Sequence, residues 1–281
     1  MQSILSGAFV PREADANKWT VGTVTVVGGS GRYIHAPVIA GLGARCAGAG
    51  LVQLVVPDAS RIAAGNLVPE ATFTKLVSTC VPPRADVVAM GMGLGTGVTT
   101  EVIVSRLLSG SKGRFVIDAD ALAILSKWYA MLDGYDPAQG QELVLTPHEG
   151  EAAKLLGWTK ERVHSDRLAC AKEIVERYGA TVVLKGAKTL VVSADAKRVY
   201  ENDSGNPYMA LGGMGDLLAG VIAARWAYLK SDPFLAAASS VWLHGAASDA
   251  LVAACEDASI VNTAAKIGAM RIKLDSNGGE K

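Results

Sequence analysis

The sequence VTVVGGSGRYIHAPVIAGLGARCAGAGLVQLVV, residues 24–56, is the clearest indicator of the fold class. It begins and ends with short apolar runs, residues 24–27 and 51–56, which are rich in β-branched side chains and predict buried strands. Between them, residues 37–49 form a longer Ala-rich segment that predicts a helix. Because the apolar runs lack the alternation of a half-buried strand, we expect both of their faces to be buried. A strand, a helix and a second strand in this order predict a parallel sheet covered by helices.

The same alternation continues along most of the chain. From residue 233 to residue 271 the pattern is wholly helical, which predicts helices packed on the sheet and not a second domain. We therefore predict an α/β fold with a central, mostly parallel sheet between two helical layers, one domain over residues 1–275 and a loose tail at 276–281. Further strands are predicted at 86–90, 115–117, 142–145, 181–184 and 190–192, and further helices at 99–108, 149–156, 167–178 and 214–226.

Composition and charge restrict the class of protein. Half of the 281 residues are hydrophobic and 19% are charged, which is typical of a globular protein. Lys+Arg and Asp+Glu are 27 each, so a neutral chain offers no electrostatic basis for binding nucleic acid or a membrane surface. The four cysteines form no C-x-x-C pair and are interpreted as small buried hydrophobes in a reducing compartment. Without a secretory signal or an apolar stretch of spanning length, a cytoplasmic protein is expected.

The segment GNPYMALGGMGD, residues 205–216, carries the strongest chemical pattern. Its glycines allow the backbone to approach an anion closely, and the following helix directs free N–H groups at that anion. Asp216 falls in the first helical turn, where a carboxylate can accept a proton from a substrate hydroxyl while the amides stabilise phosphoryl charge. An ordinary capping acid is the less favoured alternative. The segment predicts an enzyme that uses ATP or ADP, with an anion hole formed by Gly212, Gly213, Met214 and Gly215.

A second motif, KGAKTL at residues 185–190, lies between two predicted strands. It is not a P-loop, because the upstream glycine of G-x-x-x-x-G-K-[ST] is absent. Taken alone it indicates a hairpin turn with lysines. Its position shortly before the Gly-rich segment makes it a candidate nucleotide-binding loop, in which Lys185 or Lys188 meets phosphate oxygens.

The motif TPHEGE at residues 146–151 follows the predicted strand at 142–145. His148 and Glu151 are three residues apart at a helix entry, so both can face the strand ends. No second histidine follows at zincin spacing, which argues against structural zinc. We predict that His148 faces the substrate and that Glu151 is linked to magnesium through water, with helix capping as the alternative for Glu151.

Three further motifs follow predicted strands, at the edge of the sheet where ligands usually bind. Residues 28–31 and 91–95 are glycine-rich turns, and the first lacks the third glycine of a Rossmann fingerprint. Asp118 and Asp120 follow the strand at 115–117. Helix capping and a role near the ligand are equally consistent with this pair of carboxylates.

Together, the motifs at 28–31, 91–95, 118–122, 146–151, 185–189 and 205–216 resemble the successive motifs of the NAD(P)H-hydrate dehydratase family. This is the carbohydrate-kinase-like domain of metabolite-repair proteins. The resemblance, which runs from residue 20 to residue 255, implies a ribokinase-like three-layer α/β/α fold. It also implies dehydration of (6S)-NAD(P)H hydrate to NAD(P)H in the presence of Mg²⁺. ADP, which gives AMP and phosphate, is favoured over ATP as the co-substrate.

Carried over motif by motif, the resemblance implies that Ala36, Gly93 and His148 contact the hydrated dinucleotide and that Asp216 faces it as the catalytic base. It further implies a separate NAD(P)H-hydrate epimerase as a functional partner and a homo-oligomer, with a tetramer favoured. The residues that the resemblance assigns to nucleotide binding are Lys185, Gly186, Ala187, Lys188, Thr189 and Gly215.

Several positions depart from the family pattern. Met214 and Leu211 stand where threonine is usual, Tyr208 replaces a small residue, and Met92 and Glu149 replace prolines. None of these changes removes a backbone amide of the anion hole, so activity is still expected, with an altered nucleotide geometry. Two alternatives stay open: a small-molecule kinase of the same superfamily that phosphorylates a vitamin-precursor alcohol or a sugar, and a nucleotide-binding relative without turnover.

Overall fold

A computed structural model describes residues 5, 7–79, 82–110, 112–131, 140–230 and 232–278 of the chain. Its central feature is a nine-stranded sheet. The seven predicted strands are all present, with bounds that differ by at most one residue from the prediction. The strands are β1 (Thr23–Val27), β2 (Leu51–Val56), β3 (Thr72–Lys75), β4 (Val87–Met90), β5 (Arg114–Ile117), β6 (Glu142–Leu145), β7 (Thr181–Leu184), β8 (Leu190–Val192) and β9 (Val199–Glu201).

The strand order is β3-β2-β1-β4-β5-β6-β7-β8-β9. Every neighbouring pair from β3 to β7 is parallel, while β7, β8 and β9 pair antiparallel. The prediction of a mostly parallel sheet is therefore confirmed. Strands β3 and β9, which were not predicted, form the two edges of the sheet. After β1 the chain adds strands first on one side and then, from β4 onward, on the other, so the strand order reverses between β1 and β4.

Ten α-helices lie in the described part of the chain, and each of the predicted helices is among them. The helical end divides into two helices, and the second runs through Ser276, the first residue of the predicted tail; residues 279–281 lie outside the described residues. No described helix combines the length and the apolar character needed to cross a bilayer. The helices are α1 (Ala36–Cys46), α2 (Asp58–Leu67), α3 (Val98–Leu108), α4 (Ala119–Met131), α5 (Glu149–Leu156), α6 (Lys160–Ser165), α7 (Arg167–Tyr178), α8 (Met214–Leu229), α9 (Pro233–Ala253) and α10 (Ile260–Ser276).

Alternate strand residues point into two separate hydrophobic cores, one on each face of the sheet. Val26 and Ala89 face the core that is completed by α1, α2, α8, α9 and α10. Met90 and Ile117 face the core that is completed by helices α3 to α7. Since both faces are covered, β1 is buried along its whole length, and the three-layer α/β/α prediction is confirmed.

Helices α1 and α8 pack with their backbones in contact. A Cβ atom at Gly43 would overlap the carbonyl of Leu217, and one at Gly220 would overlap the carbonyl of Ala40. Only glycine therefore allows this approach at the two crossing points. The packing brings the start of α8 next to α1, since a Cβ atom at Gly213 would lie 2.8 Å from Cδ1 of Ile39.

The cysteine interpretation is only partly correct. Cys46 and Cys170 are buried free thiols, as predicted, whereas Cys255 is a free thiol exposed to solvent. Cys255 lies in the connection between α9 and α10 and has a positive φ of 55°. It is exposed because it follows the last turn of α9, where the chain leaves the core. Cys80 lies outside the described residues.

Candidate active site

Two glycine-rich turns meet at the carboxyl ends of β1 and β4, where the strand order reverses. The N–H of Gly29 donates to the carbonyl oxygen of Met92 at 2.9 Å, and a Cβ atom at Gly28 would lie only 2.6 Å from that oxygen. The N–H of Gly91 donates to the carbonyl oxygen of Val27 at 3.2 Å. Such a reversal opens a crevice between the loops on either side, and this crevice is the usual ligand site of open α/β sheets.

The structure brings two of the predicted substrate residues together at this crevice. Ala36 is the first residue of α1, and a Cβ atom at Gly93 would lie 3.3 Å from its Cβ. Gly93 has a φ of 68°, and any side chain there would overlap Tyr33. His148, the third predicted substrate residue, precedes α5 at the carboxyl end of β6, two strands from β4.

The first turn of α8 has the features of an anion hole. Gly213 has a φ of 101°, a left-handed conformation that favours glycine. It is the residue before the helix, and it has no side chain to cap the first N–H groups. Among the described residues, no acceptor is bonded to the N–H groups of Gly212, Gly213, Gly215 or Asp216. The predicted fourth member, Met214, differs, because its N–H donates to the carbonyl oxygen of Leu211 at 3.3 Å.

A carboxylate from α9 holds the loop that leads to this turn. The N–H of Gly205 donates to Asp249 Oδ2 at 2.8 Å, and Asn206 Nδ2 donates to Asp249 Oδ1 at 2.8 Å. Asn206 Oδ1 accepts in turn from the N–H of Tyr208 at 3.1 Å. Asp249 was not identified from the sequence, because it lies more than 40 residues from the loop. Tyr208 and Leu211 are exposed on the loop surface.

Four ionisable side chains from four different elements converge near the start of α8. We call them the charge cluster: Asp118 after β5, Glu151 on α5, Lys185 after β7 and Asp216 on α8. Lys185 Nζ lies 2.6 Å from Asp118 Oδ1 and 3.8 Å from Glu151 Oε2. It also lies 3.3 Å from the position that a Cβ atom of Gly215 would take. One ammonium group is therefore shared among carboxylates at the N-terminus of α8.

The charge cluster alters the acidity of its members. Burial raises the pKa of Asp216 to about 7, with a further increase from Asp118 that Lys185 opposes. Burial also raises the pKa of Glu151, again against the effect of Lys185. Burial alone would lower the pKa of Lys185, but Asp118 and Glu151 outweigh it and the pKa is raised. Lys185 is therefore a cation at neutral pH, while Asp216 is poised to accept and release a proton.

Glu151 caps a helix, which was the alternative considered from the sequence, and it also faces Lys185. Its Oε2 accepts from the N–H of His148 at 2.8 Å, while His148 Nδ1 accepts from the N–H groups of Gly150 at 2.9 Å and Glu151 at 3.3 Å. This reciprocal capping begins α5. The same Glu151 carboxylate faces Lys185, so it caps the helix and belongs to the charge cluster. The side chain of His148 is 60% exposed.

The two lysines of the lysine loop, residues 185–189, point to different surroundings. Lys185 reaches the charge cluster, and its N–H donates to the carbonyl oxygen of Pro147 at 2.8 Å. Lys188 has a φ of 57°, its side chain is 76% exposed, and its Nζ lies 3.5 Å from Glu201 Oε1. Thr189 Oγ1 donates to the carbonyl oxygen of Gly186 at 2.9 Å. Ala187 is exposed at the tip of the loop.

The sequence left helix capping and a role near the ligand open for Asp118 and Asp120, and the structure places Asp118 at the start of α4 and beside Lys185. Asp118 Oδ1 accepts from the N–H of Ala119 at 2.9 Å, at the start of α4, and from Lys185 Nζ. Asp120 has a different function, because its Oδ2 accepts from the N–H of Gly95 at 2.8 Å and so holds a glycine-rich turn. The sequence signals for Asp118 were the D-A-D pattern after a strand and the place of residues 118–122 in the family resemblance.

A mostly parallel sheet between two helical layers, with glycine-rich loops at the strand reversal and an aspartate in a glycine-rich helix start, defines an enzyme of ribokinase-like fold. The family model described as NAD(P)H-hydrate dehydratase matches residues 24–267. The chain belongs to the NAD(P)H-hydrate dehydratase family, whose members are hydro-lyases.

Individual relatives agree with this assignment. The ADP-dependent (S)-NAD(P)H-hydrate dehydratase of Neisseria meningitidis serogroup B is 40% identical over 251 residues, which are 86% of this chain and 81% of that protein. The bifunctional NAD(P)H-hydrate repair enzyme of Moorella thermoacetica is 38% identical over 254 residues. These residues are 85% of this chain but only 46% of that protein. The Bacillus subtilis ADP/ATP-dependent NAD(P)H-hydrate dehydratase, co-crystallized with ATP and Mg²⁺, superposes with a TM-score of 0.83 at 26% identity, covering 96% of each chain.

Proposed function

We propose that this chain converts (6S)-NAD(P)H hydrate back to NAD(P)H and consumes ADP, in preference to ATP, with release of AMP and phosphate. The observation that carries the proposal is Asp216, a carboxylate with a pKa of about 7 in the first turn of α8, beside backbone amides without acceptors. The relative from Neisseria meningitidis, named as ADP-dependent, supports the choice of nucleotide.

A dehydration that consumes a nucleotide overcomes a simple chemical difficulty, since hydroxide is a poor leaving group. In the proposed first step, the hydroxyl oxygen of the hydrated ring attacks the β-phosphorus of ADP, the bond to the bridging oxygen breaks, and AMP leaves. Asp216 accepts the hydroxyl proton. In the second step the ring C–O bond breaks and phosphate leaves with its electron pair. The adjacent ring carbon loses a proton and the double bond re-forms.

The groups around Asp216 suit the charge that develops in the first step. Phosphoryl transfer depends mainly on positioning and on stabilising charge on the phosphoryl oxygens. The amides of Gly212, Gly213 and Gly215 would donate to those oxygens, and Lys185 adds a positive charge next to Gly215. The remaining lysine-loop residues, Gly186, Ala187, Lys188 and Thr189, would bind the other phosphate and the nucleoside.

The hydrated dinucleotide would bind across the crevice at the strand reversal. Ala36 and Gly93 lie side by side there, and the missing side chain at Gly93 allows the close approach of Tyr33. His148 extends this surface toward β6, and its exposed ring is able to bond a polar group of the substrate. Asp216 would face the hydroxyl that leaves.

The residues present also fit a magnesium ion that enters with the nucleotide. Across the part of the chain that the structure describes, no three His, Cys, Asp or Glu side chains group in a way that could hold a metal ion alone. Mg²⁺ is usually bound by one or two carboxylates with waters and substrate phosphates. The charge cluster has three carboxylates for one lysine, so it has room for a further positive charge. Glu151 would hold the ion through water. When bound, Mg²⁺ would neutralise phosphate charge.

The proposed reaction implies partners for the chain. Only one epimer of the hydrate is consumed, so a separate NAD(P)H-hydrate epimerase would supply it from the other epimer. The bifunctional relatives, about twice as long as this chain, support a coupling with a second repair activity. We further propose one catalytic domain over residues 1–275 and a cytoplasmic homo-oligomer, with a tetramer favoured.

A single assay tests the proposed function. The chain is incubated with hydrated NADH and ADP, and the recovery of NADH absorbance is compared with the release of AMP and phosphate in equal amounts. Parallel reactions contain ATP or no nucleotide. Full recovery without nucleotide consumption would contradict the mechanism. No recovery with either nucleotide, together with phosphorylation of a thiazole or pyrimidine alcohol, would instead identify a small-molecule kinase.

A further inference from the structure

The guanidinium group of Arg167 donates hydrogen bonds to four carbonyl oxygens, three in the lysine loop and one in the residue before it. Arg167, the first residue of α7, donates from Nη1 to the carbonyl oxygens of Ala187 at 2.7 Å and Lys188 at 3.2 Å. Its Nη2 donates to the carbonyl oxygens of Leu184 at 3.0 Å and Lys185 at 3.1 Å. We propose that Arg167 is a positioning residue that holds the lysine loop in the conformation needed to bind nucleotide phosphate. The proposal rests on the proposed function.

The geometry of the peptide bond explains how this contact prepares the loop. The described peptide bonds are all trans, and in a trans peptide the carbonyl and the following N–H point in opposite directions. Because the carbonyls of Lys185, Ala187 and Lys188 point at Arg167, the N–H groups that follow them point away from it. These are the N–H groups of Gly186, Lys188 and Thr189.

Those N–H groups are free to bind an anion. Among the described residues, no acceptor is bonded to the N–H of Gly186, Lys188 or Thr189. Backbone N–H groups that point to one side of a turn form an anion-binding concavity. Arg167 would thus act on the nucleotide through the backbone, and not through its own charge.

Arg167 is itself held in place. Its Nε lies 3.2 Å from Glu149 Oε1 at the start of α5, and its side chain is 16% exposed. A Cβ atom at Gly186 would lie 2.9 Å from Nη2, and Gly186 has a φ of 149°, so glycine is required beside the guanidinium. A planar fork with five donors suits several carbonyls at once, which a lysine ammonium does not reproduce.

The contacts of Lys185 indicate which kinetic constant should change. Besides its carbonyl contact with Arg167, Lys185 has two contacts that do not involve Arg167, its N–H bond to Pro147 and its ion pair with Asp118. Removing the guanidinium should therefore loosen residues 186–188 while Lys185 stays in the charge cluster. Nucleotide affinity should fall much more than turnover at saturating nucleotide.

The test compares Arg167→Gln and Arg167→Lys with a matched control on the same helix, Arg177→Gln. Arg177 donates to the carbonyl oxygens of Leu155 and Leu156 at 3.3 Å each, and neither belongs to the lysine loop. We expect both Arg167 variants to raise the KM for ADP and the calorimetric Kd for ADP by about tenfold or more. The KM for hydrated NADH should stay within about twofold, as should all constants of the control.

Hydrogen exchange of the ligand-free protein gives a readout that does not depend on turnover. Amides 186–189 should exchange faster in Arg167→Gln than in wild type, with no change in Arg177→Gln. An unchanged ADP affinity in Arg167→Gln, or an equal loss in the control, would overturn the inference. If wild type binds ADP more tightly than Arg167→Gln but does not dehydrate the hydrate, only the proposed function would be overturned. One that binds neither ADP nor ATP would overturn both.

Discussion

Replacing Asp118 with Asn should move the pH dependence of turnover toward lower pH. Asp118 raises the pKa of Asp216, which is about 7, by placing negative charge next to it. Its side chain is buried and its Oδ1 lies 2.6 Å from Lys185 Nζ. Asn keeps the shape and the carbonyl acceptor but removes the charge. The Lys185 ammonium then loses a neutralising partner and stabilises ionised Asp216 more strongly, so both effects lower that pKa.

The size of the effect follows from the fraction of Asp216 that is ionised. With a pKa of about 7, a carboxylate is about 1% ionised at pH 5 and about 90% ionised at pH 8. If ionised Asp216 removes the hydroxyl proton, kcat/KM for the hydrate should rise about 90-fold across this range in wild type. The Asp118→Asn variant should reach its plateau at a lower pH and show a smaller rise over the same range.

The assay is kcat/KM for hydrated NADH at saturating ADP, followed by NADH absorbance from pH 5 to pH 9. Asp120→Asn is the matched control, because Asp120 belongs to the same motif, has a weaker effect on Asp216 and bonds Gly95 instead of Lys185. Lys185→Met should shift the midpoint to higher pH, since Lys185 lowers the pKa of Asp216. A midpoint that stays in place or moves upward in Asp118→Asn would refute the reasoning.

Three further predictions concern stability. The pKa of Asp216 is about 7 in the folded protein against a reference of 3.8. The free energy of unfolding therefore falls as pH rises from about 4 to about 7, by at most about 4 kcal/mol. Asp216→Asn should therefore lose turnover yet gain thermal stability over wild type, more at pH 8 than at pH 5; an equal gain at both pH values would contradict the shift. Gly220→Ala should cost about 1–3 kcal/mol, because its methyl group overlaps the carbonyl of Ala40 where α1 crosses α8; a melting temperature equal to that of wild type would show that the helices separate freely. Asp275→Asn should cost about 3–5 kcal/mol, because Asp275 Oδ1 lies 3.2 Å from Nη1 of the fully buried Arg225; denaturant unfolding with an unchanged midpoint would exclude this pair as a source of stability.

The strands that the sequence predicted are those with strong local signals. The run at 51–56 is apolar over most of its length, and β2 has these bounds because both faces of that strand are buried. Strands β3 and β9 were missed because each lies at an edge of the sheet and is partly exposed. Their pairing depends on the neighbouring strand, and a short half-exposed segment carries little periodicity of its own.

The candidate site divides in a similar way. Asp216 and Lys185 were predicted because each belongs to a local motif whose residue types suit phosphate chemistry. Asp118 stayed undecided, since a carboxylate at a helix start caps the helix whether or not it meets a ligand. Arg167 and Asp249 gave no signal, because each contacts a loop 17 or more residues away in the chain.

The amino-acid sequence determined by itself the alternation of strands and helices, the family, and the residue types that carry the chemistry. These properties depend on local patterns of burial and on motifs of a few residues. Only the tertiary structure decided that one lysine is shared between Asp118 and Glu151, that the pKa of Asp216 reaches about 7 and that one guanidinium binds three carbonyls of the lysine loop and the one before it. The reason is physical: charge interactions and burial depend on distances in space, and those distances are set only when the parallel sheet brings its carboxyl ends together.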